Sequence, residues 1–179
     1  MRGFGVAAGA VAIAVAGSLS TATAAYADDF ADDYQVALNG TFRVMSDGEW
    51  AKRGMRPGGA DVFIKQQTVE QTWTISTTCI SPIECSGTVQ SDLGWTGTIR
   101  LDDYWYIDHD VPNWLPCPDG TFAPGHQKFI VLGWNPTINQ RVTHNATFLM
   151  GRDQTKSPSG ACGANQPLVI EMPVKIQKI

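Results

Sequence analysis

The chain has 179 residues, a net charge of −4, six tryptophans and four cysteines. That length suits one domain with a core of its own. The acidic balance excludes the basic footprint of a nucleic-acid or anionic-membrane binder, and no long polar or charged tract marks disorder.

Met1-Arg2-Gly3 carries one positive charge, an apolar run from Phe4 to Gly17 follows, and small and polar residues lead to Ala25-Tyr26-Ala27, ahead of Asp28 and Asp29. This is the order of a secretory signal peptide. Small residues at Ala25 and Ala27 place cleavage after Ala27, with Ala22-Thr23-Ala24 as a second candidate site. The apolar run falls short of the roughly 20 residues that span a bilayer, and no later segment is apolar enough to do so. The expected organisation is a signal segment over 1–27, a mobile acidic leader over 28–37 and a single β domain over 38–179. Loss of residues 1–27 leaves 152 residues. Arg2 is the only charge removed, so the net charge becomes −5.

Beyond the leader, apolar residues alternate with polar ones at a period of two, and no helical stripe runs without a Gly or Pro breaking it. A first strand over 41–46 opens at Asn39-Gly40. Residues 54–59, rich in Gly and Pro, form a loop. A long strand over 67–78 puts Val69, Gln71, Trp73 and Ile75 on one face and Thr68, Glu70, Thr72, Thr74 and Ser76 on the other. Strands over 86–91 and 96–101 flank a turn at Asp92-Leu93-Gly94. Residues 104–111 place Trp105, Ile107, His109 and Val111 together, with Tyr104, Tyr106, Asp108 and Asp110 opposite. The segment from Pro112 to Gly125 contains four prolines and reads as an irregular loop. Strands over 127–134, 141–150 and 168–176 complete the chain, the last two separated by a Ser-, Gly- and Pro-rich loop. Leu168, Ile170, Met172, Val174 and Ile176 share one face. The pattern predicts an all-β antiparallel meander of about eight strands. A closed, lipocalin-like barrel is favoured over an Ig-like sandwich, because closure removes exposed edges. Pro173 inside the last strand argues for an edge or bulge there and against full closure.

Cys79, Cys85, Cys117 and Cys162 all follow the export segment. An even set in an exported chain reads as two disulfides, and three pairings exist. Cys79 and Cys85 bracket a turn-like Ile80-Ser81-Pro82-Ile83-Glu84, so Cys79–Cys85 and Cys117–Cys162 are favoured. The spacing lacks the paired CxxC units of a zinc site.

The segment Leu38-Asn39-Gly40-Thr41-Phe42 resembles the opening of lipocalin-like barrels, a Gly-x-aromatic element, with Phe42 where Trp is usual. The chain also resembles small exported proteins of mycobacteria and related actinomycetes. That likeness rests on the same segment with Ser46-Asp47-Gly48-Glu49-Trp50-Ala51, on Gln71-Thr72-Trp73-Thr74-Ile75 ahead of Cys79, and on Val111-Pro112-Asn113-Trp114 followed by Pro116-Cys117-Pro118-Asp119-Gly120-Thr121. It implies export and a domain covering most of the chain, and brings no catalytic residues.

The densest group of titratable residues is Asp102, Asp103, Asp108, His109 and Asp110. Strand alternation puts Asp108 and Asp110 on one face and His109 on the other. A solvated face is the simpler reading than a calcium site, and no metal or cofactor is expected. No Gly-x-Ser-x-Gly elbow occurs, and Glu49, Glu70, Glu84 and Glu171 are scattered. An enzyme is therefore not expected, and an unrecognised hydrolase ranks last. The leading expectation is a monomeric exported barrel that binds a small apolar or amphipathic ligand through Trp73, Trp105, His109 and Trp114. Val69, Ile75 and Ile107 are further inward candidates, as are Phe148 and Ile170. The alternative is a secreted or cell-wall protein that engages an envelope or host surface component through the Pro112–Gly125 loop. Nucleic acid is not an expected partner.

Overall fold

The computed structural model describes residues 34–54 and 62–179. The expected signal segment, residues 28–33 of the leader and residues 55–59 of the first loop lie outside the described residues. The strands are β1 (Gly40–Ser46), β2 (Lys52–Gly54), β3 (Val62–Phe63), β4 (Val69–Ser81), β5 (Glu84–Ser91), β6 (Thr96–Asp102), β7 (Tyr104–Pro116), β8 (Phe122–Asn135), β9 (Gln140–Arg141), β10 (Phe148–Lys156) and β11 (Val169–Lys178). Short 3-10 turns at Gly48–Trp50 and Ala161–Gly163 interrupt them.

Eight of these strands form a ring in the order β1-β4-β5-β6-β7-β8-β10-β11, and β11 returns to β1. The closing ladder runs antiparallel from Phe42 opposite Lys178 to Ser46 opposite Val174. Each strand of the ring pairs with its neighbour in chain order once the short excursions β2–β3 and β9 are set aside. The protein is a closed, eight-stranded, up-and-down antiparallel barrel.

Alternation explains what fills it. Phe42, Val44, Trp73, Ile75, Val89, Ile99, Ile107, Phe129, Val131, Leu149 and Ile176 are buried in one cluster, each followed or preceded by an outward residue. Val36 and Leu38 join that cluster and Ala37 packs against it, so the core takes in two residues of the segment read as leader. Leu38 is tied down at both backbone ends: its N–H donates to Thr77 Oγ1 at 2.9 Å, and its carbonyl accepts from the same hydroxyl at 3.1 Å.

Three expectations are corrected. Pro173 does not stop closure. Its carbonyl accepts from Asp47 N at 2.8 Å. The edge facing β1 is therefore the one where Pro173 lacks a donor, and there the β1 ladder ends at Ser46–Val174 while the β2 ladder begins at Lys52–Glu171. The missing N–H falls in that gap. The irregular loop from Pro112 to Gly125 is mostly strand: β7 runs through Pro116 and β8 starts at Phe122. The register shifts between Val111 and Leu115, a bulge that keeps Pro112 and Pro124 out of ladder positions. The strand read over 141–150 divides instead. Asn139 and Asn145 adopt positive φ, the chain folds over Gly133 with Val142 N donating to its carbonyl at 2.9 Å, and β10 continues to Lys156.

The barrel has two ends, and one disulfide clasps each. Cys79–Cys85 closes the β4–β5 hairpin across 6 positions. Cys117–Cys162 joins the β7–β8 turn to the β10–β11 connection across 45. The loop-entropy relation gives the longer bond about 4 kcal/mol and the shorter about 2 kcal/mol. In urea unfolding, replacing Cys117 and Cys162 by Ala should cost roughly twice the stability lost when Cys79 and Cys85 are replaced.

Candidate functional site

At the end of the barrel marked by Cys79–Cys85, the β6–β7 turn, the β4–β5 hairpin and residues 142–146 leave an open cavity of about 330 Å³. Its walls are chiefly apolar: Val36, Ile83, Leu101, Trp105, Leu132 and Val142. Leu101 and Trp105 are direct cross-strand partners, made neighbours by a turn in which Asp103 takes φ +60°. Ile83, 77% exposed, stands at the hairpin tip as part of the rim. Arg141 and Asp103 give the rim its charges. The Arg141 guanidinium donates to the Asp103 carbonyl and lies 5.5 Å from the centre of the Tyr104 ring. A volume of this size is at the lower end of small-molecule sites.

The four residues expected to bind ligand are not brought together. Trp105 lines the cavity. Trp73 is fully buried deeper in the barrel, edge-to-face with Phe129 at 4.8 Å and with Trp95 at 5.5 Å. His109 is stacked on Trp95 with ring centres 3.8 Å apart and planes 2° from parallel. Trp114 sits at the opposite end in β7, half-buried, over Gly125. A Cβ on Gly125 would come within 2.8 Å of the Trp114 ring and of Thr155 Cγ2, so only glycine lets this ring close over the barrel end. Of the other inward candidates, Ile75 and Ile107 are buried, whereas Val69, Phe148 and Ile170 are partly exposed. The exposed apolar residue of the β7–β8 turn region is Phe122, 58% exposed.

Below the Trp114 end lies a feature that sequence reasoning missed, a layer of buried and half-buried polar side chains. His109 Nδ1 is 3.2 Å from the Asp110 carbonyl, and its Nε2 is 2.7 Å from Gln127 Oε1. Gln127 Nε2 donates to Asp153 Oδ1 at 2.7 Å. Ser46 Oγ donates to Asp153 Oδ2 at 2.7 Å. Next to this run, Gln71 Oε1 accepts from Ser91 Oγ at 2.7 Å and from the Trp95 indole N–H at 3.1 Å. Gly97 makes room for the stack: a Cβ there would fall 2.6 Å from the Asp108 carbonyl and 3.2 Å from the Trp95 ring. Asp153 falls in the stretch that composition marks as a Ser-, Gly- and Pro-rich loop. The signal was present, since Leu149, Gly151, Asp153 and Thr155 continue a period of two past the point where the strand was ended.

Burial pushes the Asp153 carboxyl up to about 6, against the opposing pull of its bonds from Gln127 and Ser46. Burial also pushes His109 down, with the Gln127 bond acting the other way. On the outer face of the same strands, His126 sits between Asp110 at 2.9 Å and Asp108 at 3.1 Å. Its pKa is raised, first by the hydrogen bond to Asp110, with Asp108 adding to it. The third histidine, His144, contacts the Thr143 hydroxyl at 2.9 Å on an exposed loop. Among the described residues, no three His, Cys, Asp or Glu side chains are grouped so as to hold a metal ion.

The two buried shifts have opposite linkage signs. Asp153 is easier to protonate folded than unfolded, so its contribution is present below about pH 4 and is lost as pH rises through about 6. His109 is harder to protonate folded, so its contribution is present above about pH 6.5 and is lost as pH falls. The two slopes therefore oppose one another between these limits. Asp153→Asn should uncover the His109 slope. Its stability relative to wild type should rise by about 3 kcal/mol from pH 4 to pH 7 in urea unfolding. His109→Gln should show the reverse trend.

The sequence matches no protein-family model, and no curated protein matches it. Ten chains of solved structures are similar to it. One of them is the monomer form of the M. tuberculosis PknI sensor domain, at 16% identity and a TM-score of 0.48, covering 79% of this chain and 87% of that one.

Proposed function

We propose that this chain is an exported, non-enzymatic barrel that holds one small apolar or amphipathic molecule in the cavity at its Cys79–Cys85 end. The observation that carries the reading is the cavity itself: about 330 Å³, walled by Trp105, Leu101 and Leu132, with charge confined to the rim. An apolar body fits the walls, and a polar head meets Arg141 and Asp103. The deeper interior, where Trp73, Trp95, His109 and Phe129 pack ring on ring, leaves the mouth as the place for a guest.

Export is supported by the charged, apolar and small-residue order of residues 1–27. All four cysteines are in disulfides, which persist in oxidising compartments.

The probe for this reading is 1-anilinonaphthalene-8-sulfonate, an aromatic body with one anionic head. Saturable binding with one site per chain is the expected result. Val142→Trp, which puts bulk into the rim, should weaken binding about tenfold or more, a loss of 1.4 kcal/mol or greater, while the melting temperature stays within a few degrees. Phe122→Ala, at the other end of the barrel, should leave binding unchanged. Absence of saturable binding, or binding indifferent to Val142→Trp, would remove the mouth cavity as the site.

A further inference from the structure

We propose that His109 and Asp153 hold a single proton between them across the side-chain amide of Gln127, and that the outward-facing His126 on the same strand pair sets which of the two holds it. None of these side chains lines the mouth cavity.

The Asp110 carbonyl can only accept, so His109 Nδ1, 3.2 Å away, carries a hydrogen. The Ser46 hydroxyl satisfies Asp153 Oδ2. That leaves one unbranched line: His109 Nε2, the Gln127 amide, Asp153 Oδ1, with both contacts at 2.7 Å. An amide presents a donor on one side and an acceptor on the other, and its two orientations occupy the same space. With the oxygen toward His109, Nε2 must donate, so the ring is an imidazolium, and Asp153, receiving the amide N–H, is a carboxylate. With the amide turned over, neutral Nε2 accepts from the amide N–H, and Asp153 donates its own O–H to the amide oxygen. Each orientation is fully satisfied when one proton is present on the pair. With none, the amide oxygen faces a lone pair on Nε2, or Nδ1 faces the Asp110 carbonyl without a hydrogen. With two, an uncompensated cation is buried beside Phe129 and Trp95.

The exchange balances with water as the co-reactant. Asp153 releases its proton to solvent, the amide turns over, and His109 Nε2 takes one proton from solvent; the net charge of the interior does not change. Two interconvertible arrangements of one set of atoms make a bistable element.

The surroundings then bias it. Among the described residues, His109 and Asp153 are the titratable pair facing each other inside this layer. Gln71 and Ser91 from β4 and β5 are neutral, Gly97 and Ile99 come from β6, and Ser46 from β1 is a hydroxyl. The charges lie on the outer surface. Asp108, Asp110, His126 and Lys128 decorate β7 and β8. Arg100 pairs with Asp102 on β6. Arg152, Glu171 and Lys52 form a group on β10, β11 and β2. Glu70 points outward from β4. Strand register makes Asp110–His126 and His109–Gln127 successive cross-strand pairs, so they face opposite sides of the same sheet. A protonated His126 neutralises Asp108 and Asp110 and repels a second cation behind the sheet, which favours the proton on Asp153. Without that charge, the two outer carboxylates draw positive charge onto His109.

Long-range nitrogen NMR of the His109 ring, with carbon NMR of the Asp153 carboxyl, tests both parts in the full mature chain. In wild type, the two signals should change with one common midpoint as pH is varied. Separate midpoints, with each group titrating alone, would overturn the shared proton. In Asp153→Asn, which keeps the shape and a hydrogen-bonding group, His109 Nε2 should stay unprotonated where wild type shows partial protonation. An unchanged His109 titration in that variant would likewise overturn it. If Asp153→Asn does not fold, the wild-type midpoints decide. At about pH 5.5, where an unperturbed histidine is mostly protonated, His126→Gln should move the His109 signal toward the imidazolium position and the Asp153 signal toward the carboxylate position together. No movement would refute the control by His126.

Discussion

Everything in this molecule depends on the ladder between its first and last long strands. Antiparallel pairing of Phe42 to Ser46 with Lys178 to Val174 turns an open meander into a ring. Without it, β1 and β11 would each expose a row of unpaired backbone groups, and the inward faces of eight strands would have no opposite wall. With it, every inward side chain meets others across a closed space. An eight-stranded barrel is just wide enough for side chains to fill it or to leave room for one small guest. This chain does some of each. Aromatic rings occupy the middle, a polar layer occupies one end, and the other end is left open.

The polar layer is the costly part of the design. Burying a carboxyl, an imidazole and one amide, and half-burying a second, carries a desolvation penalty that hydrogen bonds must offset one by one. Asp153, Gln127, His109 and Ser46 do this by joining end to end, and Gln71 does it through Ser91 and the indole of Trp95. Trp95 thus serves two requirements. Its N–H satisfies Gln71, and its face covers His109. The remaining exception is Trp73, whose indole N–H is buried without a hydrogen-bond partner among the described residues. Trp73 is held there by packing against Phe129 and Trp95 rather than by a polar contact.

Much of this was legible from residue order. The alternation Val69, Gln71, Trp73, Ile75 placed a strand and gave its inward face, and the inward placing of Trp105, Ile107 and His109 holds to the residue. The cysteine pairing followed from a five-residue turn. What could not be read had physical causes. Pro112 and Pro124 look like a broken chain, yet the bulge leaves both out of the ladder, where no donor is asked for. Pro173 misled for the same reason: whether a missing N–H matters depends on which neighbour faces it, and that is settled by strands distant in sequence. The cavity was equally hidden. Its wall combines Val36 with Ile83, Leu132 and Val142, contributed by segments that share no local pattern. The polar layer is likewise assembled from β1, β4, β5, β7, β8 and β10, and its local hints were the inward places of Gln71 and His109 and Asp153's place in an extended alternation.

The two clasps differ in when they become available. Cys79 and Cys85 lie on adjacent strands of one hairpin, so their bond needs only those strands to meet, and a chain delivered from its N-terminus can seal it while the later strands are still absent. Cys117 must wait for Cys162, which follows β10, and the ring itself waits for Lys178. Covalent closure can therefore follow the order in which the chain is made, from a local hairpin to a long-range tie. A mispairing of Cys85 with Cys117 would have to compete with a partner that arrived first.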